Sequence, residues 1–153
     1  MKPIKSYICG CTYNVEPYLE KVLKNIQHLS EIFDDYYIIF SHDDSEDNTL
    51  TLLENFMMEH PGKMKIVKGN KQLGDIRTQN IANARNKILY TIKELGFQDF
   101  DYFIMMDMDD VNAGKMNLPV INTFIDSERN EEPLPWDSLS FNRVIYYDLW
   151  ALS

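Results

Sequence analysis

The sequence predicts an α/β fold, a mainly parallel sheet with helices on both faces, and three observations carry that expectation. Apolar runs of strand length alternate three times with segments of helical periodicity before residue 110. The stretches joining successive strands are long enough to be crossover helices, as parallel pairing requires. Polar clusters fall where strands end, "TYN" after the first, "SHDDSED" after the second and "DMDD" after the fourth. That is the edge of an open parallel sheet at which ligands bind.

Each element has its own signal. A first strand is expected over Lys5–Thr12. A helix follows in "EPYLEKVLKNIQHLSEIF", where Leu19, Val22, Leu23, Ile26, Leu29 and Phe33 recur at helical spacing. Asn14 is placed to cap it and Pro17 suits its first turn. The short apolar run "YYIIF", bounded by acids, reads as a buried strand from Tyr36 to Phe40. "DNTLTLLENFMME" is helical, with Asp47 or Asn48 as cap, and "MKIVK" is a third strand. The loop "GNKQLGD" leads into a long helix, Ile76 to Leu95, closed by Gly96. "FDYFIMM" is the fourth strand. Beyond Asp110 the pattern loosens, and one more strand or short helix is expected within "SLSFNRVIYYDLWAL". The methionines, Met57, Met58, Met105 and Met106, and the tyrosines read as core.

The composition narrows the function classes. A chain of 153 residues suffices for one domain with a real core. A formal net charge of −9 argues against a nucleic-acid binder that tracks phosphates with a basic face. It leaves room for a nucleotide ligand, because a divalent cation can mediate that contact. No apolar run approaches a bilayer span, and the N-terminus lacks a signal peptide's apolar core. Cys9 and Cys11 are too close in sequence for an unstrained disulfide, so reduced thiols in a cytosolic chain are expected.

The fourth strand delivers Asp107, Asp109 and Asp110 in "FIMMDMDDVN". Like charges so close repel one another unless water or a cation offsets them. Asp107 and Asp109, separated by one residue, can share a divalent ion while Met108 points back to the core. Hard carboxylate oxygens suit Mg²⁺ or Mn²⁺, with diphosphate oxygens completing the shell. A solvated acidic loop is the bland alternative, and placement directly after an apolar strand weighs against it. Two rivals use the same letters. "DMDDV" matches the D-x-D-x-V pattern of haloacid-dehalogenase-type phosphatases, yet those place it on their first strand. "DDSEDNTLTLLE" has EF-hand ligand types at several positions, but Asn48 stands where a glycine is required.

Two further clusters carry chemistry. Asp43, near the end of the second strand, is placed to accept a hydrogen bond from a nucleobase imide N–H. Arg77 and Arg85, eight apart, share one helix face. An arginine near a helix start suits a diphosphate. The bland reading of either is a solvated or salt-bridged surface residue. The small Ala82 and Ala84 suggest close packing around Arg85.

These clusters, in this order, resemble the nucleotide-sugar-binding half of GT-A-fold glycosyltransferases, especially the large inverting family 2 type. "CTYNVEPYLEKVLKNI" resembles that family's opening strand, turn and helix. "HDDSEDNT" resembles its D-D-G-S-x-D-x-T nucleobase turn, "NARN" its A-R-N, and "FIMMDMDD" its strand and D-S-D-D. The likeness covers residues 5 to 112. A vaguer likeness joins "RTQNIANARN" and "YYDLWALS" to fungal capsule α-1,3-mannosyltransferase-like proteins of the same fold. The resemblance implies that Cys11, Thr12 and Asn14 line a nucleoside pocket and that Asp43 holds the base. It implies Asp107 at the ribose or the metal, and Asp109 on the metal. Cys11 replaces the family's usual proline, and Asp44 its usual glycine.

The resemblance implies a single Rossmann-like GT-A domain over 1–153, with its core at 5–112 and a less regular extension at 113–153. The family continues past this point with its acceptor site and catalytic base, so the acceptor part is expected to be absent. A further domain or partner chain is then expected to supply it. The implied activity is metal-dependent transfer of a sugar from a nucleotide-diphospho-sugar, with Mn²⁺ or Mg²⁺, to an unknown acceptor: a glycan, a protein or a small molecule. The alternative is a nucleotide or nucleotide-sugar binding module without turnover; a haloacid-dehalogenase-like phosphatase ranks below both.

Overall fold

The computed structural model describes residues 2–69, 76–96, 100–130 and 138. In chain order they form β1 (Lys5–Thr12), α1 (Glu16–Ser30), β2 (Asp35–His42), α2 (Thr49–Glu59) and β3 (Met64–Lys68). Then follow α3 (Arg77–Leu95), β4 (Tyr102–Asp107), a 3-10 turn (Asp110–Asn112) and α4 (Leu118–Arg129). The strands make one sheet in the order β3-β2-β1-β4, and every described pairing is parallel. Chain order runs outward from β1 to β3, then returns to the other side of β1 for β4.

Alternation along the central strands separates two cores. Ile8, Ile38 and Phe40 face α1 and α2 with Leu19, Val22, Ile26 and Leu53. Tyr7, Cys9 and Ile39 face the other way, against Ile88 and Ile92 of α3. Helices therefore cover both faces, as expected. Each such aliphatic side chain, fully buried, contributes about 1.5 to 3 kcal/mol. Pro17 sits in the first turn of α1, and Gly96 ends α3 in the left-handed region at φ 80°.

Several boundaries and burials differ from the sequence reading. β2 runs past Phe40 because Ser41 and His42 still pair with β1 and β3, polar though they are. The EF-hand reading of Asp43 to Glu54 fails, because α2 already occupies its second half from Thr49. Residues 118–129 are more regular than expected. Leu118, Ile121 and Ile125 recur at helical spacing in α4 and pack on the α1 face of the core. Not every methionine and tyrosine is core: Met58 is 72% exposed and Tyr90 63%. The element expected in "SLSFNRVIYYDLWAL" and the "YYDLWALS" likeness lie outside the described residues.

Candidate functional site

Parallel strands end on one side, and a cleft of about 610 Å³ opens there between β1 and β4, where the chain order reverses. That volume suits a small-molecule ligand. Cys11 and Thr12 of β1 form one wall with Tyr13 after them, and Asp43 stands beyond β2. The β4 wall is Met105, Met106 and Asp107, continuing to Met108 and Asp109. α3 contributes Arg77, Asn80, Ile81, Ala84 and Arg85, a stripe at helical spacing.

The acidic turn is held from several directions. Asp107 is the last residue of β4, in register with Cys11. Met108 turns into the core, 2% exposed. It lies over Gly10, where a Cβ would come within 2.6 Å of Met108 Cγ. Asp107 and Asp109 are thereby left facing the cleft, while Asp110 does not line it. Asp109 Oδ1 accepts from the Val111 amide at 3.1 Å and so caps the 3-10 turn. Asn112 Nδ2 donates to the Asp107 carbonyl at 2.8 Å. From α1, Asn25 Nδ2 donates to the carbonyls of Asn112 at 2.7 Å and Gly114 at 2.6 Å.

Arg85 Nη2 lies 3.4 Å from Asp107 Oδ1, and both side chains are about half exposed, 49% and 55%. The close packing expected around Arg85 is only partly present: Ala84 is buried but Ala82 is not. Burial pushes the Cys11 thiol up to about 11; Arg85 opposes the shift, while Asp43 and Asp107 add to it. Burial also raises Cys9. Both thiols are thus protonated at neutral pH, which suits neither a nucleophile nor a metal ligand. His42 Nδ1 lies 3.1 Å from Thr12 Oγ1, whose hydroxyl also reaches the Ser41 carbonyl at 3.4 Å.

One expected pocket residue sits elsewhere. Asn14 does not line the cleft. At φ 50° it occupies the left-handed region that asparagine tolerates. Its amide donates to Ser45 Oγ at 2.9 Å and its Oδ1 accepts from the Glu46 amide at 2.8 Å. It laces the loop after β1 to the loop after β2. Nor does it cap α1, which Val15 precedes without a side-chain cap. Asp47 does that work across the loops, accepting from the Glu16 amide at 3.1 Å and the Thr49 amide at 3.0 Å. The Val15 amide reaches Thr49 Oγ1 at 3.0 Å.

The other expected residues, Cys11, Thr12, Asp43, Arg77, Arg85, Asp107 and Asp109, share the cleft. Among the described residues, no group of three or more His, Cys, Asp or Glu stands ready to hold a metal. Asp107 and Asp109 suit a hard divalent ion as a pair. Each carboxylate has one oxygen engaged, by Arg85 or by Val111, and its second oxygen has no partner among the described residues. Ligand phosphates and water would supply the remaining oxygen donors. Sequence reasoning missed Tyr13, Asn25 and Asn112. A polar Asn25 flanked by the inward Val22, Ile26 and Leu29 was the available signal.

Comparison with known proteins agrees with this architecture. Over 100 residues the chain is 30% identical to the dTDP-rhamnosyl transferase RfbG of Shigella flexneri, covering 65% of this chain and 31% of that one. The crystal structure of S. aureus TarS superposes with a TM-score of 0.52 at 18% identity, covering 82% of this chain and 20% of TarS. The chain thus spans about a third of the curated relative's length and a fifth of the structural neighbour's. Among the described residues no helix is long and apolar enough to cross a membrane. The sequence model of glycosyl transferase family 2 matches residues 7–130, nearly all of the sheet and helices described above, and the chain belongs to that family.

Proposed function

We propose that this chain is the donor-binding part of a metal-dependent glycosyltransferase. It would hold a nucleoside-diphosphate sugar in the cleft and pass the sugar to an acceptor hydroxyl. The observation that carries this reading is the convergence of Asp43, Arg85, Asp107 and Asp109 on one cleft at the β1–β4 reversal. Asp43, ionised, only accepts hydrogen bonds and so selects a base edge that offers an N–H. Tyr13, which lines the cleft and is 45% exposed, would stack on the base. Cys11 and Thr12 line the nucleoside end. Asp107 and Asp109 would hold Mn²⁺ or Mg²⁺, which, when bound, neutralises charge on the departing diphosphate. Arg77 and Arg85 add fixed positive charge on the α3 side.

A further domain or partner chain would supply the acceptor site and the catalytic base. A reducing, cytoplasmic setting fits Cys9 and Cys11, which are both free thiols. The test is incubation with Mn²⁺ and a panel of nucleotide sugars. dTDP-rhamnose comes first on the panel because the relative is named for it. Release of free nucleotide, greater with an acceptor glycan present, is the expected result. Thermal stabilisation without release would instead make the chain a nucleotide-sugar binding module, and the absence of both responses would remove the donor-site reading.

A further inference from the structure

We propose that Gly69 is a positioning residue of the base pocket: the absence of a side chain there provides the space in which the Asp43 carboxylate lies. Gly69 follows the last residue of β3, and its amide donates to the His42 carbonyl at 2.6 Å. That bond extends the ladder beyond the strand and brings position 69 alongside the residue after His42. A Cβ built at Gly69 would overlap Asp43 Oδ1, lie 2.5 Å from Asp43 Cγ and 3.1 Å from Asp43 Cα. Gly69 is not at positive φ, unlike Gly62 and Gly96. Backbone conformation therefore does not demand glycine there; the Asp43 carboxylate does.

The consequence concerns direction. The Asp43 amide is tied to the Thr12 carbonyl at 3.0 Å, which fixes its backbone between β1 and β3. With the backbone fixed, the side chain has few staggered positions. A methyl at 69 removes the observed one and turns the carboxylate away from the place where it faces the cleft. The identity of position 69 thus decides whether Asp43 presents its oxygens to a base, without itself touching the ligand. This inference rests on the proposed role of Asp43 as base reader.

The experiment compares Gly69→Ala, Asp43→Ala and the double variant in the full chain, with two readouts. One is calorimetric affinity for UDP, GDP and dTDP in the presence of Mn²⁺. The other is melting temperature without nucleotide. Asp43→Ala is expected to weaken the tightest diphosphate about tenfold or more, the scale of a lost hydrogen bond to a charged group. Gly69→Ala should weaken it by a similar factor, and the double variant should be no weaker than the worse single. In melting, the loss caused by Gly69→Ala should largely disappear in the Asp43→Ala background, because the overlapping oxygen and carbon are gone. If Gly69→Ala alone fails to fold, recovery in the double variant carries the same meaning. A Gly69→Ala protein that binds as wild type while Asp43→Ala binds weakly would overturn the inference and leave the base-reading role intact. An Asp43→Ala protein with unchanged affinity would overturn both. A melting loss equal in both backgrounds would show that something other than Asp43 requires glycine.

Discussion

Asp109 does one job in this structure and is proposed for a second, and two substitutions separate them. One carboxylate oxygen caps the 3-10 turn by accepting from the Val111 amide at 3.1 Å; the charge is the part proposed to hold metal. Asp109→Asn keeps an acceptor for the cap and deletes the charge, whereas Asp109→Ala deletes both. Loss of a capping side chain costs about 1 kcal/mol, or about 2 to 4 °C of melting temperature in a domain this size. Relief of repulsion from Asp107 and Asp110 is small, because the turn is partly solvated and Arg85 already offsets Asp107. Without ligand, Asp109→Asn should therefore melt close to wild type, and Asp109→Ala below it. In saturating Mn²⁺, a nucleoside diphosphate at about a hundredfold over its dissociation constant should add about 2.7 kcal/mol to the wild type. Both variants should lose that gain. Differential scanning fluorimetry with and without Mn²⁺ reads all of these. Asp109→Asn that keeps the full Mn²⁺-dependent shift would refute the metal role, and Asp109→Ala that melts with Asp109→Asn would refute the cap.

Three other substitutions test the surrounding groups. Arg85→Ala should cost about 1.5 to 3 kcal/mol of diphosphate affinity, the range for hydrogen bonds to charged groups. It should scarcely change melting, because the Asp107 pair is half exposed; calorimetry alongside a melt separates the two effects. Asn25→Ala removes the bonds to the part-buried Asn112 and exposed Gly114 carbonyls, so it should cost about 0.5 to 1.5 kcal/mol of stability and weaken Mn²⁺ binding although Asn25 lies outside the cleft. Burial holds His42 below its ordinary value of 6.5, against the opposing pull of Asp43, Asp44, Asp47 and Glu54. The unfolded chain thus binds that proton more readily than the folded one, and stability rises with pH. The His42 contribution should be complete above about pH 6.5 and lost as pH falls below it. Denaturant melts at pH 5.5 and 7.5 should show a smaller difference in His42→Gln than in wild type.

The sequence conveyed the elements whose signals are local and missed those that depend on contacts between loops. β1 and β3 have the bounds expected of them, and α1 follows its stripe of leucine, valine and isoleucine. The cleft was legible because the polar clusters at strand ends need only the parallel order to meet. Met108 turning inward between Asp107 and Asp109 follows from strand alternation alone. Asn14 and Asp47 were not legible in the same way. Either can cap the helix that follows it, and only the approach of two loops distant in sequence makes Asp47 the cap of both α1 and α2. α4 lay where the pattern was expected only to loosen; Leu118, Ile121 and Ile125 do hold a helical spacing, and Pro119 suits a helix's first turn. Gly69 gave no sequence signal at all, since a glycine after a strand is expected for many reasons.

Charge balance in the cleft supplies the physical reason for a cation. Among the described residues its lining carries three carboxylates, Asp43, Asp107 and Asp109, against two guanidinium groups, Arg77 and Arg85, in a chain of net charge −9. A diphosphate brought into that setting would meet more repulsion than attraction unless a divalent ion came with it. Arg85 is already paired with Asp107, so its charge is partly spent before any ligand arrives. An ion on Asp107 and Asp109 would both neutralise the carboxylates and loosen Arg85 for the phosphate. Metal and nucleotide should therefore bind with positive coupling, each raising the other's affinity by the same factor. Arg85→Ala should reduce that coupling, because the arginine released by the metal is then missing. Equal Mn²⁺ affinity with and without nucleoside diphosphate would sink this account of how an acidic cleft holds an acidic ligand.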